Sequence, residues 1–556
     1  MTGGETLWNS LIDHGIEVVF GYPGGSVLSV YDVLPRELRH VLVRHEQAAA
    51  MAADGYARAT GRLGVCVATS GPGALNLLTG VTNAFLDSCP VLAITGQVPT
   101  VQLGRDAFQE TDVFGVTMPL TKHNYLVSRV EDLPRVLNEA IHLAQAGRRG
   151  PVLVDLPSDV AMAEVPDGVN AAPHLPGYRP RRDGHPPQIA RAAETLGAAA
   201  RPVILAGGGT RWAGAAPLVL RLAEKANIPV ASTLMGLGAI PAGHPLFLGM
   251  IGMHGTVAAN RAVQECDVLL ALGTRFSDRV TGKRDAFAPL GQIIHVDVDP
   301  AEVGKNVPAH IPIVGDVARV LEALIPLVPG RENGKWLSRI AGFKGPAGPD
   351  GLAVQIIRSL ARVTEGLARR DRLILVTDVG QHQMWVAQQY PFYHPRTLVT
   401  SGGLGAMGYG LPASVGAQIG CPDKTVALVT GDGSLQINIQ ELATVAQEGL
   451  PIKIVLLDNG TLGMVLQLQD LFCGGHRVAV SIQGPDWVAL ARAYGLKAWR
   501  ASGLEEAEEG LSALFAESGA GLLHCIISPD EKALPMVPPG EPLTRIVSEW
   551  RGGEAK

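Results

Sequence analysis

Two loops in the last third of the chain carry the residue types that hold a divalent cation and a diphosphate. An apolar run at 425–430 leads into Gly431-Asp432-Gly433-Ser434. A helical pattern follows at 440–448, and the next apolar run, 452–457, ends at Asp458-Asn459-Gly460-Thr461. Asp432 offers a hard anionic oxygen and Asn459 a neutral carbonyl oxygen, the donors that Mg²⁺ takes. The glycines let backbone come close to phosphate oxygens. An isolated Gly-Asp-Gly is an ordinary turn. Here an asparagine turn follows the very next strand, and both loops fall at the carboxyl ends of parallel strands, where open α/β sheets bind ligands.

Glu46 is a candidate acid. It follows an apolar run at 40–44 and opens a helical pattern at 47–60. A helix amino end favours the carboxylate, whereas burial raises its pKa. Taken alone, it is a helix-start residue. A further loop, Gly403-Leu404-Gly405-Ala406-Met407-Gly408, matches G-x-G-x-x-G. A dinucleotide reading needs an acid about 20 residues on, at the end of the next strand. Asp423 has that spacing but precedes a strand, so the dinucleotide reading of this loop is rejected.

Positioning these groups takes several layers of α/β structure. Short Val/Ile/Leu-rich runs recur at 40–44, 64–69, 91–95 and 151–155, then at 202–206, 268–272 and 292–298, then at 373–377, 425–430, 452–457 and 522–527. Such runs suit strands buried on both faces of parallel sheets, with helices between. Proline-rich stretches at 165–187 and 326–350 read as linkers. The expectation is three doubly wound parallel-sheet domains at 1–165, 188–328 and 350–556. The 556 residues fit that number at roughly 100–200 per domain. A net charge of −6 without a long basic run argues against nucleic acid. No run reaches the ~18 apolar residues of a membrane span, and no signal peptide is expected. The six cysteines are scattered without a C-x-x-C pair, which points to neither zinc nor disulfides and fits a reducing cytoplasm.

The segment Arg44-His45-Glu46-Gln47-Ala48-Ala49-Ala50-Met51-Ala52-Ala53-Asp54-Gly55-Tyr56-Ala57-Arg58 closely resembles the catalytic glutamate region of the acetohydroxyacid synthase (acetolactate synthase) catalytic subunit, a thiamine-diphosphate family. The Asp432 and Asn459 loops resemble the thiamine-diphosphate motif, and the resemblance runs along nearly the whole chain. It implies Glu46 as the acid that activates the coenzyme, and Mg²⁺ on Asp432, Asn459 and the main-chain oxygen of Thr461. It implies coenzyme contacts from Gln381, His382, Gly405, Met407, Asp432, Gly433, Ser434 and Met464. Phe108 and Gln109 would line the reaction space, and Arg279 would grip the carboxylate of the second 2-oxo acid. In the middle domain, Gly207, Gly208, Thr233, Leu234, Met235, Met253, His254, Gly273, Arg275, Asp297 and Asp316 stand where the family binds FAD. In this family the flavin does not carry the net reaction.

The implied activity is decarboxylation of pyruvate and condensation of its two-carbon fragment with pyruvate or 2-oxobutyrate, on the route to branched-chain amino acids. The implied assembly is a homodimer or dimer of dimers, with Glu46 and the diphosphate loops of one site drawn from different copies; a small regulatory subunit is a possible partner. Alternatives are another thiamine enzyme (pyruvate oxidase, a 2-oxo acid decarboxylase, a flavin-free catabolic acetolactate synthase) or a non-catalytic cofactor-binding regulatory subunit. The chain departs from the family at four places. Asp458 replaces the first asparagine of the motif, Leu468 a tryptophan of the acceptor pocket, Ser158 a lysine and Ser277 an aspartate. Leu468 leads to the expectation of a weaker preference for 2-oxobutyrate, and the two serines bear on flavin binding.

Overall fold

A computed structural model describes residues 1–343, 350–551 and 554–555. Pro346 and Pro349 of the second linker, and residues 552, 553 and 556 of the last expected domain, lie outside the described residues. The chain builds three six-stranded sheets, each parallel throughout. The first runs Arg39–Leu42, Val18–Tyr22, Gly64–Ala68, Val91–Gln97, Val152–Pro157, His123–Leu126. The third runs Leu398–Val399, Leu373–Thr377, Thr425–Gly431, Lys453–Asp458, Gly521–Ile526, Lys497–Ala501. Numbered by chain order within each sheet, both read 2-1-3-4-6-5, a shared architecture that their residues alone do not display.

The middle sheet is different. It runs Phe247–Met250, Val230–Ser232, Pro202–Ala206, Val268–Leu272, Gln292–Asp297, Ile311–Val314, the order 3-2-1-4-5-6 of dinucleotide-binding sheets. Its switch point lies between Pro202–Ala206 and Val268–Leu272, whose inner residues are fully buried. No helix among the described residues is long and apolar enough to cross a membrane.

The first and third sheets meet through one helix pair. Helix Glu46–Thr60 starts on His45, whose Nδ1 accepts the N–H of Gln47, and stops at Gly61 in the left-handed conformation. Its alanine-rich surface lies against helix Gly410–Gly420. A side chain at Gly416 would strike the backbone of Ala52 and Tyr56, so this contact is close because the facing residues are small. One core cluster accordingly holds Val43 and Ala52 from the first part of the chain with Val415 and Leu428 from the last.

Candidate active site

The loops at 431–434 and 458–461 follow neighbouring strands, with Gly431 paired to Leu457. Asp432 is buried, and its Oδ2 has no hydrogen-bond partner. Burial, with Asp458 beside it, pushes Asp432 up to about 7. A divalent cation would relieve both the orphaned oxygen and the repulsion. Asn459 Oδ1 accepts the Thr461 N–H and hydroxyl at 3.0 Å, which fixes the turn; both lone pairs are engaged, and a metal bound there would take the place of the Thr461 hydroxyl. Thr461 bridges Ser481 through bonds made by Leu462 N–H and Gly460 C=O, so the Thr461 carbonyl stays outside that pairing. The Asp458 carboxylate is engaged by other partners. Its Oδ2 accepts from Trp487 Nε1 (3.0 Å) and His524 Nε2 (2.8 Å), and its Oδ1 from Gly460 N–H. Burial works against its charge, but His524 and the Gly460 amide hold it below the ordinary carboxylate range. The carboxylate at this departure thus serves the partners Trp487 and His524.

A third loop closes the cradle. His382 is buried with Nε2 unpartnered, and burial holds its imidazole down near 3, so it is neutral. A Cβ at Gly431 would come within 3.0 Å of this ring. Gln381 donates to Gln467 Oε1 and the Glu531 carbonyl and meets Asn459 Nδ2 at 3.4 Å. Ser434 donates to the Val379 carbonyl at 2.7 Å. Unpaired polar atoms, a hard-oxygen ligand set and glycines at the approach fit a metal diphosphate.

Asp378 was not singled out from the sequence, yet it organises the site. Its carboxylate accepts N–H groups from Val379 (2.8 Å), Gly408 (3.0 Å) and Gly410 (2.7 Å), and so fixes the loop of Gly405 and Met407. Burial raises it to about 6 despite these bonds. Asp378→Ala strands two buried donors, Gly408 and Gly410, and one partly buried, Val379; at about 1–3 kcal/mol for each unsatisfied buried group, chemical denaturation should show a loss of at least about 2 kcal/mol. An unchanged denaturation midpoint would refute this role.

The same loop is tied to helix Glu46–Thr60. Arg58, fully buried, pairs with Asp54 and Asp87 and donates to the Thr400 carbonyl at 2.9 Å. Asn83 joins Asp54 to Ser401, and Ser401 Oγ accepts the Ala406 N–H. Met407 reaches the Gly433 loop, its Cε 3.6 Å from where a Gly433 Cβ would stand.

A cavity of about 1090 Å³ joins the middle domain to this region. Gly208, Thr233, Leu234, Met235, Met253, His254, Gly273, Arg275, Asp297 and Asp316 line it, with Gly405, Met407, Met464 and Leu468 on the other wall. Gly207 stands behind, its backbone against Gly273 so closely that a Cβ would overlap the Gly273 carbonyl. Asp297 ends its strand, and burial raises it to about 6. Asp316 Oδ1 caps helix Val317–Leu324. His254 Nδ1 is buried and unpartnered; burial, with Arg279 nearby, lowers it to about 4. Arg279 is exposed at the cavity, 3.7 Å from Asp278. Ser277 lines the cavity and Ser158, opening helix Ser158–Met162, does not. A cleft of this size at the switch point of a 3-2-1-4-5-6 sheet fits a dinucleotide.

Glu46, Phe108 and Gln109 lie elsewhere in the chain and line no part of this cavity. Glu46 stands at the carboxyl end of the first sheet. It is 9% exposed, and its Oε2 accepts from Asn76 Nδ2 at 2.9 Å. Asn76 is a second group not singled out from the sequence. Gln109 has φ +60° with its backbone against Gly71, while Phe108 is 88% exposed. Tyr22, Leu28, Leu75 and Val101 are exposed at the same end.

Three family models match the chain: the thiamine pyrophosphate enzyme N-terminal TPP binding domain over residues 1–116, the central domain over 189–324 and the C-terminal TPP binding domain over 378–525. A probable acetolactate synthase large subunit of Methanocaldococcus jannaschii is 48% identical, covering 99% of this chain and 96% of that protein. The acetolactate synthase of Arthrospira platensis is 46% identical over 97% of this chain and 96% of its own length. Acetolactate synthase isozyme 1 large subunit of Escherichia coli is 43% identical over 99% and 98%. With the sheets, the metal-ready loops and these relatives in agreement, the chain belongs to the acetolactate synthase large-subunit family of thiamine pyrophosphate enzymes.

Proposed function

We propose that this enzyme decarboxylates pyruvate and joins the two-carbon fragment to a second 2-oxo acid, pyruvate or 2-oxobutyrate, in a site built by two copies of the chain. The observation that carries this reading is the pairing of two half-sites at sheet ends: a buried carboxylate, Glu46, beside exposed Phe108, and an orphaned Asp432 oxygen beside the Asn459 turn. Large exposed apolar side chains on a soluble chain mark association surfaces. Closing Phe108 and Val101 against Val465 and Phe472 of a second copy would cover both rims. The same reading gives residues 1–165 the pyrimidine-binding role, 188–328 the flavin role and 350–556 the diphosphate role.

Thiamine diphosphate, when bound, supplies the electron sink for loss of carbon dioxide. Asp432, Asn459 and the Thr461 carbonyl would hold Mg²⁺, with Gln381, His382, Gly433 and Ser434 around the diphosphate and Gly405, Met407 and Met464 at the ring. Glu46, kept in place by Asn76, would hold the acidic proton for the pyrimidine ring of the bound coenzyme. Arg279 orients the acceptor through its carboxylate, and Phe108 and Gln109 shape the space around it. FAD would occupy the middle-domain cavity as a resident group, since the overall reaction moves no electrons to an acceptor. The proposed setting is the cytoplasm and the branched-chain amino acid route. Relatives are named large subunits, and a small regulatory partner is proposed by that analogy.

Product analysis after reconstitution with thiamine diphosphate, Mg²⁺ and FAD tests the reading. Pyruvate alone should give acetolactate and carbon dioxide; peroxide, or acetaldehyde without acetolactate, would contradict it. Leu468 lines the cavity where the family carries tryptophan. Leu468→Trp should raise the preference for 2-oxobutyrate over pyruvate by about tenfold or more, since small pocket contacts discriminate by about 1–3 kcal/mol. Competition between the two acceptors measures the ratio, and an unchanged ratio would remove Leu468 from the acceptor pocket.

A further inference from the structure

We infer that Arg211, with Trp212, Arg149 and Arg396, forms an oxyanion site that takes a phosphate-bearing group where the three domains meet. Arg211 is 5% exposed, yet its Nε and Nη2 have no hydrogen-bond partner. Trp212 Nε1 and Arg396 Nη1 beside it are likewise buried donors without an acceptor. The guanidinium carbons of Arg149, Arg211 and Arg396 lie 5.1, 5.1 and 5.0 Å from the Trp212 ring centroid. Three cations thus surround one indole, each drawn from a different part of the chain.

The surrounding carboxylates do not balance them. Asp54 is spent on Arg58 and Asn83; Asp87 Oδ2 serves Arg58 and the Gly402 N–H, and its buried Oδ1 has no hydrogen-bond partner, so two carboxylates face the guanidinium groups of Arg58, Arg149, Arg211 and Arg396. Arg275 approaches Asp87 only to 4.0 Å. A buried cation without a counter-charge is strongly unfavourable, and several unspent N–H groups add to that cost. Burial and the charges of Arg58 and Arg396 push Arg211 down to about 10, still protonated at neutral pH. The cluster is nonetheless held in place by its own bonds. Arg396 Nη2 donates to the Arg211 carbonyl at 3.1 Å, and Arg149 Nη1 to the Gly61 carbonyl at 3.0 Å. Arg396 adopts φ +66°, a conformation rare for a side-chain-bearing residue, which sets its guanidinium against Gly61.

Arg149, Arg211 and Trp212 line the cavity together with Gly208 and Gly209, next to the switch point of the middle sheet. Planar guanidinium forks match the paired oxygens of a phosphoryl group. The chemistry is therefore that of a pyrophosphate or phosphate ester. Its source is either the pyrophosphate of the dinucleotide proposed above, in which case the inference rests on that reading, or a free nucleotide or phosphate.

Isothermal titration of the full-length, flavin-stripped protein with FAD, riboflavin, ADP and inorganic phosphate separates these sources. Arg211→Met should weaken FAD binding by about 10- to 100-fold and leave riboflavin within twofold, with Arg211→Lys recovering part of the loss. If the source is free phosphate or nucleotide, ADP or phosphate binding should fall instead, with FAD unaffected. If wild type binds no flavin, the dinucleotide reading fails, while the ADP and phosphate arms still test the site. Should Arg211→Met not fold, Arg149→Met, at a half-buried position, should show the same selectivity. Equal loss of FAD and riboflavin, as from a general structural defect, would overturn the inference. So would binding of all four ligands unchanged in the folded variants, or binding of none by wild type.

Discussion

Glu46→Gln should lower carbon dioxide release from pyruvate by about a hundredfold or more at saturating coenzyme, with the fold unchanged. Glutamine keeps the size of the side chain and its acceptor oxygen toward Asn76, which now bonds Glu46 at 2.9 Å. It cannot exchange a proton with a ring nitrogen. The loss should therefore appear in kcat, while the coenzyme dissociation constant, measured by titration, moves by less than about tenfold, the worth of one neutral hydrogen bond. Asn76→Ala should reproduce a milder version, because it frees the carboxylate to rotate. A Glu46→Gln protein that released carbon dioxide at the wild-type rate would remove the acid from the mechanism.

Asp432→Asn should weaken Mg²⁺-dependent coenzyme binding by at least about 100-fold, since even outer contacts of a metal site are worth 10–100-fold. Chelation of Mg²⁺ from the wild type should produce the same loss, and excess Mg²⁺ should rescue the variant in part. The cofactor-free protein responds in the opposite sense. Asp432 Oδ2 has no partner, and Asp458 lies beside it, so removing the charge relieves repulsion and the apo variant should melt no lower than wild type. Thermal melts with and without Mg²⁺ and thiamine diphosphate read both signs in one experiment. An Asp432→Asn protein with wild-type Mg²⁺ dependence would place the metal elsewhere.

The parts of this molecule that the sequence made legible are those whose signal is local. The Asp432 and Asn459 turns end consecutive strands, so strand, glycine and ligand type coincide within a few residues. Helix Glu46–Thr60 and the buried central strands were readable from composition and apolar runs. Short strands were not: Leu398–Val399 has two residues and Val230–Ser232 three, too few for a periodic signal. Long-range partners were not readable either. Asp378 follows a strand like many aspartates, and only folding brings the amides of Gly408 and Gly410 to it. Asp54 and Arg58 have the spacing of a surface ion pair, yet both are fully buried because Gly55 and Ala413 let the two helices close over them. The order of the middle sheet, which supports the flavin reading, is a property of crossovers and not of any one segment.

The central claim is that the acid and the metal loops of one site come from different copies of the chain. Mixing two inactive proteins, Glu46→Gln and Asp432→Asn, under conditions that exchange subunits tests it most directly. In a mixed pair, one site carries both changes and the other carries neither, so random exchange should restore about a quarter of wild-type acetolactate formation. If both groups of a site belonged to the same chain, every site in the mixture would carry one lesion, and no activity would return.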